Sequence, residues 1–270
     1  MDISISDSEF ARFQKFIHEK AGIRLSEAKK PLVSGRLAGR LRVRDVSSFS
    51  DYFALISVAH EAAEMQVAID LLTTNETYFF REPKHFDFLR QHVSGWPATG
   101  QPFRVWSAAS SSGEEAYSIA MLLEDRLGAR PWEIFASDLS TRVLASARRG
   151  QYSMERASGV PPEFLRRFCL KGKGSESGTL LVARELAAKV EFAQINLNES
   201  LPDVGMFDVI FLRNVMIYFD TETKRAVVTR LLEKLRPEGY FFIGHSETLH
   251  GIDESLETIA PAIFRKPRRH

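Results

Sequence analysis

The chain lacks most of the features that mark secreted, membrane-spanning and nucleic-acid-binding proteins. It has one cysteine, Cys169, which excludes an internal disulfide framework and is typical of a reducing compartment. A formal net charge of +1 provides no overall field that would attract nucleic acid or a membrane surface. Its apolar runs are shorter than the roughly 18 residues that a membrane-spanning helix needs, and residues 1–6 have neither the basic nor the apolar region of a signal peptide. We therefore expect a cytoplasmic protein without direct membrane insertion.

What remains is the composition of a globular protein of one or two domains, with 44% hydrophobic and 26% charged residues in a chain of 270. Residues 1–73 have helical spacing and no strand signal. Ser6 and Glu9 form a capping box before an apolar stripe, and Gly22 is typical of a helix end. Further helices are predicted at 28–43, 50–56 and 61–72. This part of the chain is predicted to form an all-helical unit.

Arg36, Arg40 and Arg44 lie four residues apart, so they share one side of the second predicted helix. A row of basic residues on a helix is compatible with a solvated face. It is equally compatible with a docking face for an acidic partner. The residues themselves leave both interpretations open.

Residues 103–123 have the pattern of a buried strand, a turn of small residues that includes Gly113, and a helix. A second predicted strand at 132–137 ends in Asp138. A small-residue loop and an acid at successive strand ends are typical of a nucleotide-like ligand site, in which the acid accepts hydrogen bonds from ribose hydroxyls. The sequence therefore predicts an adenosine-type cofactor held by the 110–115 turn and Asp138.

Strands and helices continue to alternate after Asp138. Predicted elements are a helix at 141–149, short strands at 179–184 and 189–193, a buried strand at 207–212 that ends before Arg213 and Asn214, a helix from about 221 through Leu235, and strands at 240–243 and 262–266. Residues 190–197 are also a candidate for the third strand of the main sheet, with Asn196 near its carboxyl end. The alternation predicts a doubly wound α/β sheet. It leaves NAD enzymes, methyltransferases and other nucleotide binders open, although the loop lacks the G-x-G-x-x-G pattern of a dinucleotide site.

Several motifs of the chain resemble those of the chemotaxis receptor glutamate O-methyltransferases, the CheR family. They are Thr-Asn-Glu-Thr-Tyr-Phe-Phe-Arg-Glu at 74–82, Ser-Gly-Glu-Glu-Ala-Tyr-Ser at 112–118, Phe-Ala-Ser-Asp at 135–138, Arg-Asn-Val-Met-Ile-Tyr-Phe-Asp at 213–220 and Gly-His-Ser-Glu at 244–247. They occur in the family's order and spacing, and the resemblance covers essentially all 270 residues, including the helical N-terminal unit. Ala116 replaces a frequent proline, and residues 110–112 replace a variable turn of small residues.

The resemblance implies a class I SAM-dependent methyltransferase domain, a doubly wound α/β sheet, preceded by a small all-helical domain. We place the helical domain with its basic docking face at 1–73. A linker and connecting helix that contributes to the cofactor site follows at 74–94, and the methyltransferase domain at 95–270. A small β-insertion is expected at about 171–193.

The activity implied by the family is transfer of a methyl group from S-adenosylmethionine to glutamate side chains of chemoreceptor cytoplasmic signalling domains, with S-adenosylhomocysteine as product. Because a glutamate carboxylate is ionised at neutral pH, this reaction needs neither a general base nor a metal. Tyr218 would lie near the transferring methyl group, and Arg81 would pair with a carboxylate of cofactor or substrate; both are candidate catalytic residues. The cofactor contacts carried over by motif are Asn75, Thr77, Arg81, Glu115, Asp138, Asn196, Leu197, Arg213 and Asn214.

The family also implies two partner contacts. Its helical domain presents a basic face to acidic methylation sites, which assigns Arg36, Arg40 and Arg44 to substrate docking. Its β-insertion can bind the receptor's C-terminal peptide by adding a strand. We expect a monomer without a metal or a nucleic-acid partner.

Two alternatives stay open. The first is a nucleic-acid methyltransferase that uses the basic helix, against which the low net charge and the lack of an Asn-Pro-Pro-Tyr or Pro-Cys signature argue. The second is a cofactor-binding sensor without catalysis, against which the intact polar residues at the strand ends argue.

Overall fold

The computed structural model describes residues 4–96 and 100–268, so the outermost ends of the predicted domains lie outside the described residues. The chain divides into two compact units. One, called the helical unit below, consists of Met1–Thr74 and Tyr218–Lys224. The other, called the sheet unit, consists of Asn75–Ile217 and Arg225–His270.

The helical unit is built on helices whose apolar sides form its core. Ser6 and Glu9 make the predicted capping box at the start of the first helix, and Gly22 ends that helix with a φ of 70°. Phe13 and Phe49 are fully buried and pack edge to face. The helices are α1 (Asp7–Ala21), α2 (Lys30–Val43), α3 (Phe49–Ile56) and α4 (Ala62–Leu72).

The sheet unit alternates strands with helices, as the sequence predicted. Its last helix begins within the segment that belongs to the helical unit. The elements are α5 (Pro83–Val93), β1 (Phe103–Ser107), α6 (Glu114–Leu127), β2 (Trp132–Asp138), α7 (Thr141–Arg149), β3 (Gln151–Ser153), α8 (Pro162–Phe168), β4 (Cys169–Lys171), β5 (Thr179–Val182), α9 (Arg184–Ala187), β6 (Val190–Gln194), β7 (Phe207–Leu212), α10 (Thr221–Glu233), β8 (Leu235–Ile243), β9 (Glu257–Ala260) and β10 (Ile263–Arg265).

The main sheet has seven strands in the order β6-β2-β1-β7-β8-β10-β9. The first five of these run parallel, whereas β10 is antiparallel to both β8 and β9. Val105 of β1 lies beside Ile134 of β2 on one side and Val209 of β7 on the other. Every residue of β7 is buried, which explains its continuous apolar sequence. The order reverses between β1 and β7, and ligands of doubly wound sheets bind at such a point.

The small β-insertion differs from its predicted position at about 171–193. A three-stranded sheet has the order β3-β5-β4 and therefore extends from Gln151 to Val182. The predicted strand near 189–193 is β6, which pairs in parallel with β2, so the alternative assignment of this stretch to the main sheet is confirmed. Strand β3 went unnoticed because three residues are too few to show a periodic pattern.

A second difference concerns residues 235–239. The predicted helix through Leu235 ends at Glu233, and β8 already begins at Leu235. Pro237 and Gly239 lie at a shift of register between β7 and β8, where Glu238 has a φ of 63°. Proline and glycine here mark a bulge inside a strand and not the loop that they normally indicate. Among the described residues, none of the helices is both long and apolar enough to cross a bilayer.

Candidate active site

Four residues of the candidate site lie at, or directly after, the carboxyl ends of parallel strands, and three of them are polar. Ser107 ends β1, Asp138 ends β2, Arg213 follows β7 and Gly244 follows β8. Because carboxyl ends of parallel strands meet at one edge of a sheet, these residues share the edge that includes the switch point between β1 and β7.

Arg213 is the centre of a buried ion-pair cluster at this edge. Its side chain is 2% exposed, and it donates to Glu115 Oε2 at 2.8 Å and to Glu82 Oε2 at 3.0 Å. A further N–H group of Arg213 donates to the carbonyl oxygen of Arg81. Ser107 Oγ donates to the other oxygen of Glu115 at 2.7 Å. The structure thus brings together Glu115, Arg213 and the main chain of Arg81, three of the predicted cofactor residues.

Glu82 also belongs to this cluster, although it was not among the predicted site residues. Its second carboxylate oxygen accepts from Asn214 Nδ2 and from the backbone N–H of His245, both at 3.2 Å. Burial raises the pKa of the Glu82 carboxyl, but the charge of Arg213 and these hydrogen bonds outweigh it, so the pKa lies below its usual value. In the sequence, the one local indication of a special role for Glu82 is its position immediately before Pro83, the first residue of α5.

His85 lies against Glu82 and is fully buried, with its Nδ1 3.4 Å from Glu82 Oε2. Burial, reinforced by the charge of Arg213, lowers the pKa of His85 to about 3, so the imidazole is neutral at physiological pH. One ligand atom each of Glu82, His85 and His245 lie within 4.8 Å of one another. We assign no metal to this group, because Arg213 and Asn214 already occupy both oxygens of Glu82 and a cation there would face the guanidinium charge.

A second cluster joins Asp138 to the turn after β1. The Asp138 carboxylate accepts from the backbone N–H groups of Ser111 at 2.8 Å and Ser140 at 2.9 Å. Ser111 Oγ donates to the carbonyl oxygen of Asn75 at 3.0 Å. Ser111 therefore links Asn75 and Asp138, two predicted cofactor residues that are far apart in sequence.

Backbone conformations at these two clusters are unusual. Of the seven described non-glycine residues with positive φ, four lie here: Phe80, Glu82, Ser111 and Asn214, with φ between 49° and 60°. Such conformations cost on the order of 1–3 kcal/mol each and are concentrated at functional sites. Their grouping around one edge of the sheet supports the assignment of this edge as the active site.

Glu114 is buried and supports the turn after β1. It accepts from Ser112 Oγ at 2.7 Å and lies 2.5 Å from Arg156 Nη2. Burial raises the pKa of the Glu114 carboxyl above its usual value, although Ser112 and Arg156 oppose this. Arg156 also donates to the carbonyl oxygen of Thr77 at 3.3 Å, which ties that predicted cofactor residue to the same turn.

The other predicted cofactor residues lie at the edges of these clusters. The backbone N–H of Ile195 donates to the Asp138 carbonyl at 3.1 Å, which brings the following Asn196 and Leu197 next to the β2 end. The guanidinium of Arg81 donates to the carbonyl oxygen of Glu76 at 2.9 Å, within its own loop. Tyr218 belongs to the helical unit, where its carbonyl oxygen accepts from the backbone N–H of Arg24 at 2.8 Å.

The three arginines predicted to dock a substrate are engaged within the helical unit. Arg40 donates to both oxygens of Glu64 at 2.8 and 2.5 Å, and Arg44 donates to Glu61 at 2.7 Å. Arg36 donates to the Thr73 carbonyl oxygen at 2.9 Å. Glu64 is 3% exposed, so its charge needs the guanidinium groups of Arg40 and Arg44. Neither of the two interpretations of this row from sequence included such internal ion pairs.

Two family models match the chain. The model described as CheR methyltransferase, all-alpha domain, matches residues 8–73, and CheR methyltransferase, SAM binding domain, matches residues 75–263. The chain belongs to the CheR methyltransferase family. Chemotaxis protein methyltransferases of Salmonella typhimurium and Escherichia coli are each 42% identical to it. The alignments cover 93% of this chain and 87% of the Salmonella protein, and 97% and 92% for the Escherichia coli protein. Chemotaxis protein methyltransferase 2 of Pseudomonas aeruginosa is 41% identical over 95% of this chain and 92% of that protein.

The predicted fold class, methyltransferase activity and S-adenosylmethionine cofactor are confirmed by this membership. The donor set of this CheR protein also fits the cofactor. Arg213 is bonded to two carboxylates, those of Glu82 and Glu115. The excess negative charge favours a ligand with a sulfonium and an ammonium group. Ser110 Oγ is buried and has no hydrogen-bond partner among the described residues, so it is free to bond a ligand.

Proposed function

We propose that this CheR family member transfers the methyl group of S-adenosylmethionine to glutamate side-chain carboxylates in the cytoplasmic signalling domain of chemoreceptors. The products are glutamate methyl esters and S-adenosylhomocysteine. The observation that carries the proposal is the match of both the helical and the cofactor-binding part to one family of chemotaxis protein methyltransferases. The acidic cluster around Arg213 supports it, since its charge suits the cofactor.

Each residue at the edge of the sheet would have a distinct task. The Asp138 carboxylate, which accepts backbone hydrogen bonds from Ser111 and Ser140, would accept hydrogen bonds from both ribose hydroxyls. Glu115 would accept from the cofactor amine, and Arg81 would pair with a carboxylate. Asn75, Thr77, Asn196, Leu197, Arg213 and Asn214 would complete the cofactor contacts.

The chemistry needs orientation more than acid–base groups. Bound S-adenosylmethionine supplies an electrophilic methyl group on a positively charged sulfur. A substrate carboxylate is already a nucleophile at neutral pH, and its attack neutralises both charges. The chain's residues would hold the two reactants in line and exclude water, which favours the loss of charge. Tyr218 would present its ring or hydroxyl beside the sulfonium.

Substrate docking would use both the basic side of α2 and the small sheet. Arg36, Arg40 and Arg44 would face acidic methylation sites, although their ion pairs limit the free charge. Leu170 and Leu181 are exposed cross-strand neighbours in the small sheet and would contact a receptor C-terminal peptide added as a strand. We further propose that the protein acts as a cytoplasmic monomer, without nucleic acid and without insertion into the membrane.

The test is transfer of labelled methyl groups from S-adenosylmethionine to a panel of receptor cytoplasmic domains, with and without their C-terminal residues. We expect label that mild base releases as methanol, as methyl esters require. Stable label in nucleic acid, or tight cofactor binding without transfer to any protein, would contradict the proposal.

For docking, Arg44→Gln is the informative variant, because glutamine retains hydrogen-bonding capacity toward Glu61 while it removes one charge. A raised KM for the receptor with unchanged cofactor affinity is expected. For the peptide contact, Leu170→Ser should raise KM for receptors that carry the C-terminal residues and leave KM for truncated receptors unchanged.

A further inference from the structure

The segment Tyr218–Lys224 lies between two stretches of the sheet unit in the chain, yet it packs with the helical unit. The contacts are made by backbone as well as side chains. Ile23 and Phe219 form an antiparallel bridge, and the N–H of Arg24 donates to the carbonyl oxygen of Tyr218 at 2.8 Å. These bonds act on the main chain of the tyrosine to which the proposed function assigns a place beside the methyl group.

A side-chain contact from the last turn of α1 also stabilises the position of this segment. His18 Nε2 lies 2.8 Å from Asp220 Oδ2. The other oxygen of Asp220 accepts from the backbone N–H of Thr223 at 2.8 Å and so caps the first turn of α10. The Thr223 N–H, followed by the His18 contact, lowers the pKa of Asp220 to about 2, so its carboxylate is ionised at physiological pH.

The turn between His18 and Arg24 is itself fixed. Gly22 adopts a φ of 70°, and its N–H donates to the His18 carbonyl oxygen at 2.8 Å, which closes the end of α1. A short stretch of residues 18–24 therefore supplies a side chain, a backbone donor and a strand-like bridge to three consecutive residues, 218–220. Fixing the backbone of a residue costs about 1–2 kcal/mol in conformational entropy, and these contacts offset that cost before any substrate binds.

We propose that residues 18–24 are a positioning element for Tyr218, and that His18 acts through Asp220 as a positioning residue of the methyl transfer. This inference rests on the proposed role of Tyr218. A misplacement of about 1 Å can cost on the order of a hundredfold in rate, so a loosened segment should lower kcat more than it changes binding.

The experiment compares His18→Ala, His18→Gln and the control His60→Ala, which removes an exposed imidazole of the same unit. Methyl transfer to a receptor cytoplasmic domain gives kcat and KM, and calorimetry gives the affinity for S-adenosylhomocysteine. His18→Ala is expected to lower kcat on the order of tenfold with KM and product affinity unchanged. His18→Gln, which can still donate to Asp220, should recover most of the rate. His60→Ala should match the unaltered protein.

A double-mutant cycle separates positioning from general stability. The variant Tyr218→Ala retains the backbone contacts that hold the segment, and His18→Ala added to it should cause no further loss of kcat. Unchanged kcat in His18→Ala, or an equal loss in both backgrounds, would overturn the inference. An unaffected Tyr218→Ala would overturn the role of Tyr218 and the inference with it. Absence of methyl esters with the unaltered protein would instead contradict the proposed function.

Discussion

Arg213 shows how a charged residue is held in the interior at the edge of the sheet. Its guanidinium is planar and carries several N–H donors, which here reach Glu82, Glu115 and the carbonyl oxygen of Arg81. A buried cation with two carboxylates is stable because the partners compensate the lost hydration. The arrangement is accompanied by conformational strain in the neighbouring backbone, where Glu82 and Asn214 both have positive φ.

The buried imidazole of His85 makes stability depend on pH. Its pKa is lowered to about 3 in the folded chain, from a usual value near 6.5, so the unfolded chain binds the proton more readily between these values. Its contribution to stability is complete above about pH 6.5 and is lost as the pH falls, with a slope of at most about 1.4 kcal/mol per pH unit.

The measurement is the free energy of unfolding in urea at pH 7 and pH 5. Unaltered protein should lose on the order of 1–2 kcal/mol more than His85→Phe over this interval. His60→Phe, in which an exposed imidazole is replaced, should behave like unaltered protein. Equal pH dependence of the unaltered and His85→Phe proteins would contradict the neutral buried imidazole.

Among the elements, the turn after β1 depends on Gly113. It has a φ of 96°, and an added Cβ would lie 2.9 Å from both the Ala147 Cβ and the Tyr152 hydroxyl. Tyr152 of β3 in turn donates to the carbonyl oxygen of Ser112 at 2.7 Å. The small sheet therefore supports the turn that links Asn75 to Asp138.

We expect Gly113→Ala to destabilise the protein and to weaken cofactor binding. Gly178→Ala is the matched control, because its φ of 85° imposes a similar conformational strain but nothing lies within 4 Å of the added methyl group. The control should lose about 1 kcal/mol, and Gly113→Ala clearly more. Urea unfolding and calorimetry with S-adenosylhomocysteine measure the two effects. Equal losses of stability in both variants would show that the turn tolerates the contact.

A second element-scale prediction concerns the contact of α2 with α4. Arg40→Ala would remove the bidentate partner of buried Glu64, which keeps hydrogen bonds from Arg44 and Tyr52, so a loss of about 1.5–3 kcal/mol is expected. Arg42→Ala, on the same helix but exposed, should change stability by less than about 0.5 kcal/mol. Thermal unfolding followed by circular dichroism distinguishes them. If Arg40→Ala and Arg42→Ala both changed stability by similarly small amounts, the structural role of the Arg40–Glu64 pair would be contradicted.

How far an element can be predicted depends on whether its signal is local. The capping box at Ser6, the helix end at Gly22 and the apolar run of β7 are local patterns, and the structure confirms them. The pairing of Arg213 with Glu82 joins residues 131 positions apart, so neither periodicity nor propensity indicates it. The family resemblance implied a cofactor contact for Arg213 but assigned no role to Glu82, although Glu82 ends the 74–82 motif. Strand β3 was not predicted for a different reason: its signal is local, but three residues are too few to show a pattern.

For the whole molecule, the arrangement of tryptophans provides a probe of one unit. Trp96, Trp106 and Trp132 are all the tryptophans of the chain, and each belongs to the sheet unit. Tryptophan fluorescence therefore reports unfolding of the unit that carries the SAM binding domain, and circular dichroism reports both units. A ligand that binds the folded state stabilises it by an amount set by its concentration relative to its Kd.

We expect S-adenosylhomocysteine to raise the urea midpoint of the tryptophan fluorescence transition. At a ligand concentration of a hundred times its Kd, the free energy of unfolding should increase by about 2.7 kcal/mol. Asp138→Asn should reduce this shift, because one carboxylate oxygen is replaced by an amide donor that opposes the N–H of Ser111 or Ser140. Asp203→Asn is the control, since the Asp203 side chain is 94% exposed. A full shift in Asp138→Asn would contradict the ribose contact, and no shift in the unaltered protein would contradict a cofactor site in the sheet unit.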